Sequence, residues 1–238
     1  MNMNEEKSPP RAMQVGGLLG WSTGNAWSAV GVDIGRRQDH SAIAVVEERR
    51  VKTGWDAANW TDVFEIQTAV RHVERLPLGT SFTRVVNRIK TVTEALKEAL
   101  KEAPPIAVVM DATGVGDAVV EMVERAGIGC ALTPVTITSG DEVAELKGWW
   151  RVPKRDLVTN LQVMLEERKL RVAGGMAEAA TLVREMQEMR VKITPSGREQ
   201  YGARGKGEHD DLVMAVALAA WWLKRKNLGG EARGRRRR

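Results

Sequence analysis

Four aspartates stand where an acidic side chain is poorly tolerated unless it does something. Asp33 closes the β-branched run "AVGVD", and Asp111 closes the apolar run "IAVVMD". Asp210 and Asp211 sit side by side ahead of "LVMAVALAAWWL", a segment apolar enough for a buried helix. Carboxylates are disfavoured in strands, and burying one without a partner is costly. In open α/β sheets chemistry collects at the carboxyl ends of the strands. Adjacent strands lie about 4.8 Å apart, so two strand-end carboxylates can share one ion. Crowded acids repel unless protons or a cation compensate. Oxygen donors, in a chain with one cysteine and three histidines, favour Mg²⁺ or Mn²⁺ over zinc. The start of a helix also favours negative charge, which eases the crowding around Asp210 and Asp211. A local explanation competes for that pair: one caps the helix and both face water.

The elements that must position these acids follow from periodicity. "AVGVDIG" and "SAIAVVEER", separated by "RRQD", predict a β-hairpin, and the alternation over 62–73 predicts a third strand. Val85, Ile89, Val92, Leu96 and Leu100 recur at spacings of three and four until Pro104-Pro105, which predicts a helix. A strand at 106–111, a helix near 115–126 and a strand at 130–137 complete a β-α-β-α-β order. That order implies an α/β sheet with parallel pairing. Further on, Leu157, Leu161 and Leu165 mark a helix and "KLRVA" a short strand. Ala179, Leu182, Val183, Met186 and Met189 mark a second helix. Residues 190–207 predict a hairpin or a long loop leading to the last helix. The organisation expected is an arm over 1–28, one domain over 29–226 and a basic tail over 227–238.

Other residues are candidates for supporting roles. His209 precedes the paired acids and can orient a water or a phosphate, and Asp39 lies in the first hairpin turn, where aspartate is also common for local reasons. Lys154 and Arg155 follow Pro153 at a helix start, where cations oppose the helix dipole, and this points to an anionic partner such as a DNA phosphate. Arg198, Arg204 and Lys206, near Tyr201, are candidates to hold a nucleic-acid strand over the acids. For both basic groups, ordinary solvated surface charge is the competing explanation.

Composition limits the classes. At 238 residues, 43% hydrophobic and 28% charged, the chain is that of an ordinary globular protein. It has no run of the roughly 18–20 apolar residues that span a bilayer, so no membrane role is expected. The lone Cys130 excludes an internal disulfide framework. The net charge of +5 resides in the terminal "RGRRRR", a tail able to hold phosphates without reading sequence. "DATGVGDAVV" lacks the third glycine of a dinucleotide loop. "GVDIG" also occurs in sugar kinases of the actin-like fold, but a second nucleotide-binding glycine motif is not evident.

Four segments, "GVDIGRRQDHSAIAVV", "VVMDATGVGDAVVEMVERAG", "VPKRDLVTNLQVMLEERKLRV" and "GEHDDLVMAVALAAWW", occur in the order found in one family. With them the chain resembles the nuclease domain of phage terminase large subunits, in the RNase H-like superfamily. The resemblance implies a mixed central sheet, its first three strands antiparallel with a parallel continuation, flanked by helices. It implies a metal-dependent endodeoxyribonuclease in which Asp33, Asp111, Asp210 and Asp211 hold two Mg²⁺ or Mn²⁺ ions about 4 Å apart around the scissile phosphate. It also implies double-stranded DNA as substrate, a separate packaging ATPase, small terminase or portal protein as partner, and the host cytoplasm as location. The G-x-x-x-x-G-K-[S/T] loop of a motor is absent from the sequence, so translocation by this chain alone is not expected. Two other functions on the same fold are a non-catalytic DNA-packaging scaffold and a Holliday-junction-type nuclease.

Overall fold

The computed structural model describes residues 26–35, 39–100, 106–114, 116–193, 199–202 and 209–235. The strands β1 (Ala26–Asp33), β2 (Ala42–Asp56) and β3 (Thr61–Arg75) open the fold as an antiparallel meander. They are followed by α1 (Phe82–Ala99), β4 (Ala107–Asp111), α2 (Gly116–Arg125), β5 (Ala131–Thr138), β6 (Ala144–Leu146) and β7 (Trp149–Pro153). The remainder is α3 (Lys154–Glu166), β8 (Leu170–Val172), α4 (Ala179–Glu188), β9 (Arg190–Ile193), β10 (Glu199–Gly202) and α5 (Asp211–Arg235). Eight strands form one mixed sheet in the order β6-β7-β5-β4-β1-β2-β3-β8, and β9 and β10 form a separate hairpin. β4, β5 and β7 run parallel to β1, which is the expected parallel continuation.

The sheet has a helical layer on each face. Val30, Val32, Ile43, Val45, Val108 and Met110 pack on one side with the apolar stripes of α1 and α2. Ala29, Ala42, Ala44, Val109, Val135 and Val152 face the other way, into a core with α3, α4 and α5. Helix α1 begins at Ser81, whose hydroxyl accepts from the Arg84 amide. Every residue of α5 from Leu212 to Trp221 is buried, as expected of a helix that is apolar all round. At its far end Trp221 meets Trp150 edge-on at 5.6 Å, and the Arg225 guanidinium lies 4.1 Å over the Trp150 ring.

Several boundaries differ from expectation. β1 begins at Ala26, inside the stretch assigned to the arm, and the α5 backbone continues to Arg235. β6 and β7 have no counterpart in the sequence reading; they form an edge hairpin turned by Lys147 and Gly148, both at positive φ. Only Leu157 and Leu161 of the α3 stripe are buried, while Leu165 is exposed. In α4 the inward residues are Leu182 and Glu185, and Val183 faces solvent. No helix among the described residues is long and apolar enough to cross a membrane.

One glycine sets the spacing between sheet and helix. A methyl group added to Gly31 would fall within the Ala215 carbonyl and 3.1 Å from the Ala219 Cβ. The obstruction is helix backbone and cannot rotate aside. Gly31→Ala should therefore destabilise the protein by about 3 kcal/mol, the upper part of the usual range for overpacking. Thermal denaturation should show this as a fall of about 10 °C, and a fall below about 2 °C would mean that α5 is free to lift.

Candidate active site

The acids converge because the topology brings their elements to one end of the sheet. Val32 pairs with Met110 in parallel register, so Asp33 and Asp111 leave neighbouring strands at the same level. The amide of Thr113 donates to Asp111 Oδ1 at 2.7 Å, while its hydroxyl accepts from the Ile137 amide at 2.7 Å. These bonds tie the turn after β4 to β5. α5 starts at the same end, and the Asp210 carbonyl accepts the first helical hydrogen bond, from the Met214 amide at 2.8 Å.

Electrostatics register the crowding. Burial, then the charges of Asp111, Asp210 and Asp211, push the Asp33 carboxyl well above the ordinary aspartate range, with Lys154 pulling the other way. Burial also raises Asp111, opposed by its bonds to Thr113, a hydrogen bond with Asp33 and the charge of Lys154. Both carboxyls are thus disfavoured in their charged form, a penalty that a proton or a cation would relieve.

The two helix acids have separate partners. Asp210 receives the Lys154 ammonium at 2.7 Å on Oδ2, and both groups are partly exposed. Asp211 is 5% exposed and is gripped by the Arg75 fork, Nε to Oδ2 at 2.6 Å and Nη2 to Oδ1 at 3.3 Å. The same guanidinium donates to Glu185 of α4, itself 5% exposed. Burial drives the Glu185 carboxyl up to about 7, against the pull of Arg75, and the Val213 amide in the first turn of α5 donates to it. Glu185, on another helix, thereby serves the α5 start, and the Asp210 carboxylate is turned to Lys154 instead of capping its own helix.

The other predicted residues are distributed unevenly. His209 Nδ1 stands 3.8 Å from Asp211 Oδ1, and its ring meets His40 edge-on at 5.0 Å. His40 is fixed in turn by a 2.8 Å contact from Nδ1 to the Leu76 carbonyl oxygen. Asp39 is exposed in the β1–β2 connection. Arg155 Nη1 lies 3.2 Å from Asp141 Oδ1 and its Nε 3.7 Å from Asp156 Oδ1. Arg198, Arg204 and Lys206 lie outside the described residues. Sequence reasoning missed Arg75, Glu185 and the attachment of Lys154 to Asp210. A charged residue on the inward stripe of α4 was the only available signal.

The four carboxylates lie at the same end of the sheet, without sulfur, a donor chemistry that suits a hard divalent cation. Among the described residues no three acidic, histidine or cysteine side chains are already drawn together at metal-ligand spacing. Lys154 and Arg75 draw the helix acids toward themselves, and Asp33 and Asp111 turn toward each other.

Known proteins share this arrangement of elements. The model of the terminase RNase H-like domain matches residues 53–220, a span that includes Asp111, Asp210 and Asp211 but begins after Asp33. The large terminase subunit of Thermus phage G20c is 29% identical over 190 residues, which cover 80% of this chain and 30% of that protein. The chain therefore spans about 30% of the length of the curated relative it matches. The crystal structure of the large terminase nuclease from phage G20c with bound magnesium aligns with a TM-score of 0.54 and 28% identity, covering 82% of this chain and 80% of that one. The human cytomegalovirus terminase nuclease domain shares the fold at 8% identity, with a TM-score of 0.52 and 84% of each chain covered. The chain has an RNase H-like fold and belongs to the terminase RNase H-like domain family.

Proposed function

We propose that the protein is a metal-dependent endodeoxyribonuclease of the terminase large-subunit type, cutting phosphodiester bonds of double-stranded DNA during genome packaging. The observation that carries this reading is the meeting of Asp33, Asp111, Asp210 and Asp211 at one end of the sheet, where Asp33 is pushed well above the ordinary carboxylate range by its neighbours. Such crowding has a use if divalent cations relieve it. The magnesium bound in the phage G20c nuclease structure supports the same choice of metal. Asp33, Asp111 and Asp210 are the acids whose oxygens would hold Mg²⁺ or Mn²⁺, two ions in this reading. Asp211 adds its charge to the group while Arg75 holds it in place. When bound, such ions lower the pKa of a water and stabilise the departing oxygen. Lys154, now 2.7 Å from Asp210 Oδ2, would be available to meet a phosphate oxygen if that carboxylate held a cation. The His40–His209 pair borders the acids beside Asp211. A packaging ATPase, small terminase or portal protein would deliver the DNA.

Supercoiled plasmid incubated with the protein and Mn²⁺ tests the reading. Nicked and linear products are expected, abolished by EDTA and by Asp111→Ala. Cleavage that survives either treatment would remove the metal assignment. Absence of cleavage on any DNA would favour a packaging scaffold, and preference for a four-way junction would favour a resolvase.

A further inference from the structure

Asp111 is the last residue of β4, so its side chain stands where the strand ladder ends. Just beyond it the Ala112 amide still donates to the Val135 carbonyl at 2.8 Å. The next β5 amide on that side belongs to Ile137, and it donates to the Thr113 hydroxyl oxygen at 2.7 Å. A threonine hydroxyl can accept and donate at once, and this one is also hydrogen-bonded to the Asp111 carboxyl. The Thr113 amide adds a further link, to Asp111 Oδ1 at 2.7 Å. One side chain thus connects the Asp111 carboxyl to β5.

An aspartate that accepts from the amide two residues on is common in turns for purely local reasons. A local turn does not account for the hydroxyl, which is anchored to an amide 24 residues away on the neighbouring strand. We infer that Thr113 is a positioning residue for the proposed cleavage, fixing the direction in which the Asp111 carboxylate meets a divalent cation. The inference rests on the nuclease reading and deepens it by adding a neutral residue to the acids.

The chemistry of the donors supports that role. Lys154 on Asp210 and Arg75 on Asp211 are cations, and an incoming ion competes with each for the carboxylate it holds. Thr113 brings no charge. A carboxylate has about four acceptor positions, so Asp111 can keep its bonds to Thr113 and still present oxygen to an ion. Asp111 is therefore arranged in advance without being neutralised.

The consequence reaches past Asp111 itself. Val32 and Met110 are paired in parallel register, so any swing of Asp111 about its Cα–Cβ bond alters its distance from Asp33. Groups that hydrogen-bond a metal ligand orient it, and removing one typically costs about 10- to 100-fold in metal affinity or activity.

The test compares wild type with Thr113→Val, which keeps the shape and the amide but removes the hydroxyl, and with Thr113→Ser, which keeps the hydroxyl. Mn²⁺ uptake without DNA is followed by loss of the free-ion electron paramagnetic resonance signal. Thr113→Val should need about tenfold more Mn²⁺, the lower end of the usual range. The Mn²⁺ concentration for half-maximal plasmid cleavage should rise by the same factor, with KM for plasmid unchanged at saturating Mn²⁺. Thr113→Ser should stay within about twofold of wild type in both readouts, since it offers the same donor and acceptor. Melting in EDTA should fall by no more than about 4 °C, as for the loss of one hydrogen bond, which separates the effect from unfolding. If Thr113→Val does not fold, Thr113→Ala takes its place with the same expectation. Thr91→Val, whose lost hydroxyl returns to the Asn87 carbonyl of its own helix at 3.0 Å, should match wild type. Unchanged Mn²⁺ uptake in Thr113→Val, beside an active wild type, would overturn the role of Thr113 alone. So would a Thr113→Ser as weak as Thr113→Val, or a rise confined to KM, which would make Thr113 a DNA contact. A wild type that takes up no Mn²⁺ and cuts no DNA would instead sink the nuclease reading, and this inference with it.

Discussion

Asp33→Asn should lose Mn²⁺-supported cleavage by about 10³-fold or more, yet melt at a higher temperature than the wild type in EDTA. The activity loss follows from removing an anionic oxygen from the centre of the acid cluster, and 10³-fold corresponds to about 4 kcal/mol of barrier. The gain in stability follows from the same geometry. Burial and three acidic neighbours disfavour the charged form of Asp33 in the fold, and the unfolded chain has no such penalty. Between the ordinary aspartate pKa and the raised folded value, the native state holds more protons than the unfolded state. Stability of the metal-free protein therefore falls as pH rises through that window. Asparagine has nearly the same shape and no charge, so the variant should lose this part of the pH dependence and gain about 1 kcal/mol at neutral pH, an exchange of activity for stability common at such sites. Melting curves from pH 5 to 8, with plasmid assays alongside, provide the check. A variant that melts below the wild type at pH 7.5 would show that the acids are not in repulsive contact.

The second large effect is on stability alone. Arg75→Ala should cost about 3–5 kcal/mol, the usual penalty for leaving buried charges without a partner. Asp211 and Glu185 both depend on this guanidinium, and both are 5% exposed. Arg75→Lys should recover only part of the loss, because an ammonium cannot reproduce the fork on Asp211. Glu185 already titrates at about 7, so Asp211 should account for most of the penalty. Adding Glu185→Gln to Arg75→Ala should return part of it, and the two changes should not be additive. Denaturant unfolding of the four proteins measures the cycle. A loss under about 1 kcal/mol for Arg75→Ala would mean that water reaches the acids freely.

These two tests rest on residues that differ in how plainly the chain displays them. Asp33, Asp111, Asp210 and Asp211 were visible because charge at the end of an apolar run contradicts its surroundings. The α1 stripe and the strands around Asp33 and Asp111 were visible because their partners impose a simple period. Arg75 carried no such signal: it ends a strand already mixed in polarity, and its partner Asp211 is 136 residues away. Glu185 was obscured because Val183 and Met186 complete an equally good apolar stripe on α4, and only the tertiary pairing with Arg75 favours the carboxylate inward. Lys154 drew notice as a cation at a helix start in need of an anion, and a nearby anion is Asp210 of the same chain. β6 and β7 are three and five residues long, too short for alternation to declare itself.

The missing side chain at Gly31 matters beyond packing. It lies two residues before Asp33 on the same face of β1, and the carbonyl it accommodates belongs to Ala215, one helical turn after Asp211. The gap between the strand carboxylate and the helix carboxylates is therefore gauged by an empty spot on the backbone. A bulkier residue there would act as a shim, holding the two halves of the cluster apart before any ion could join them.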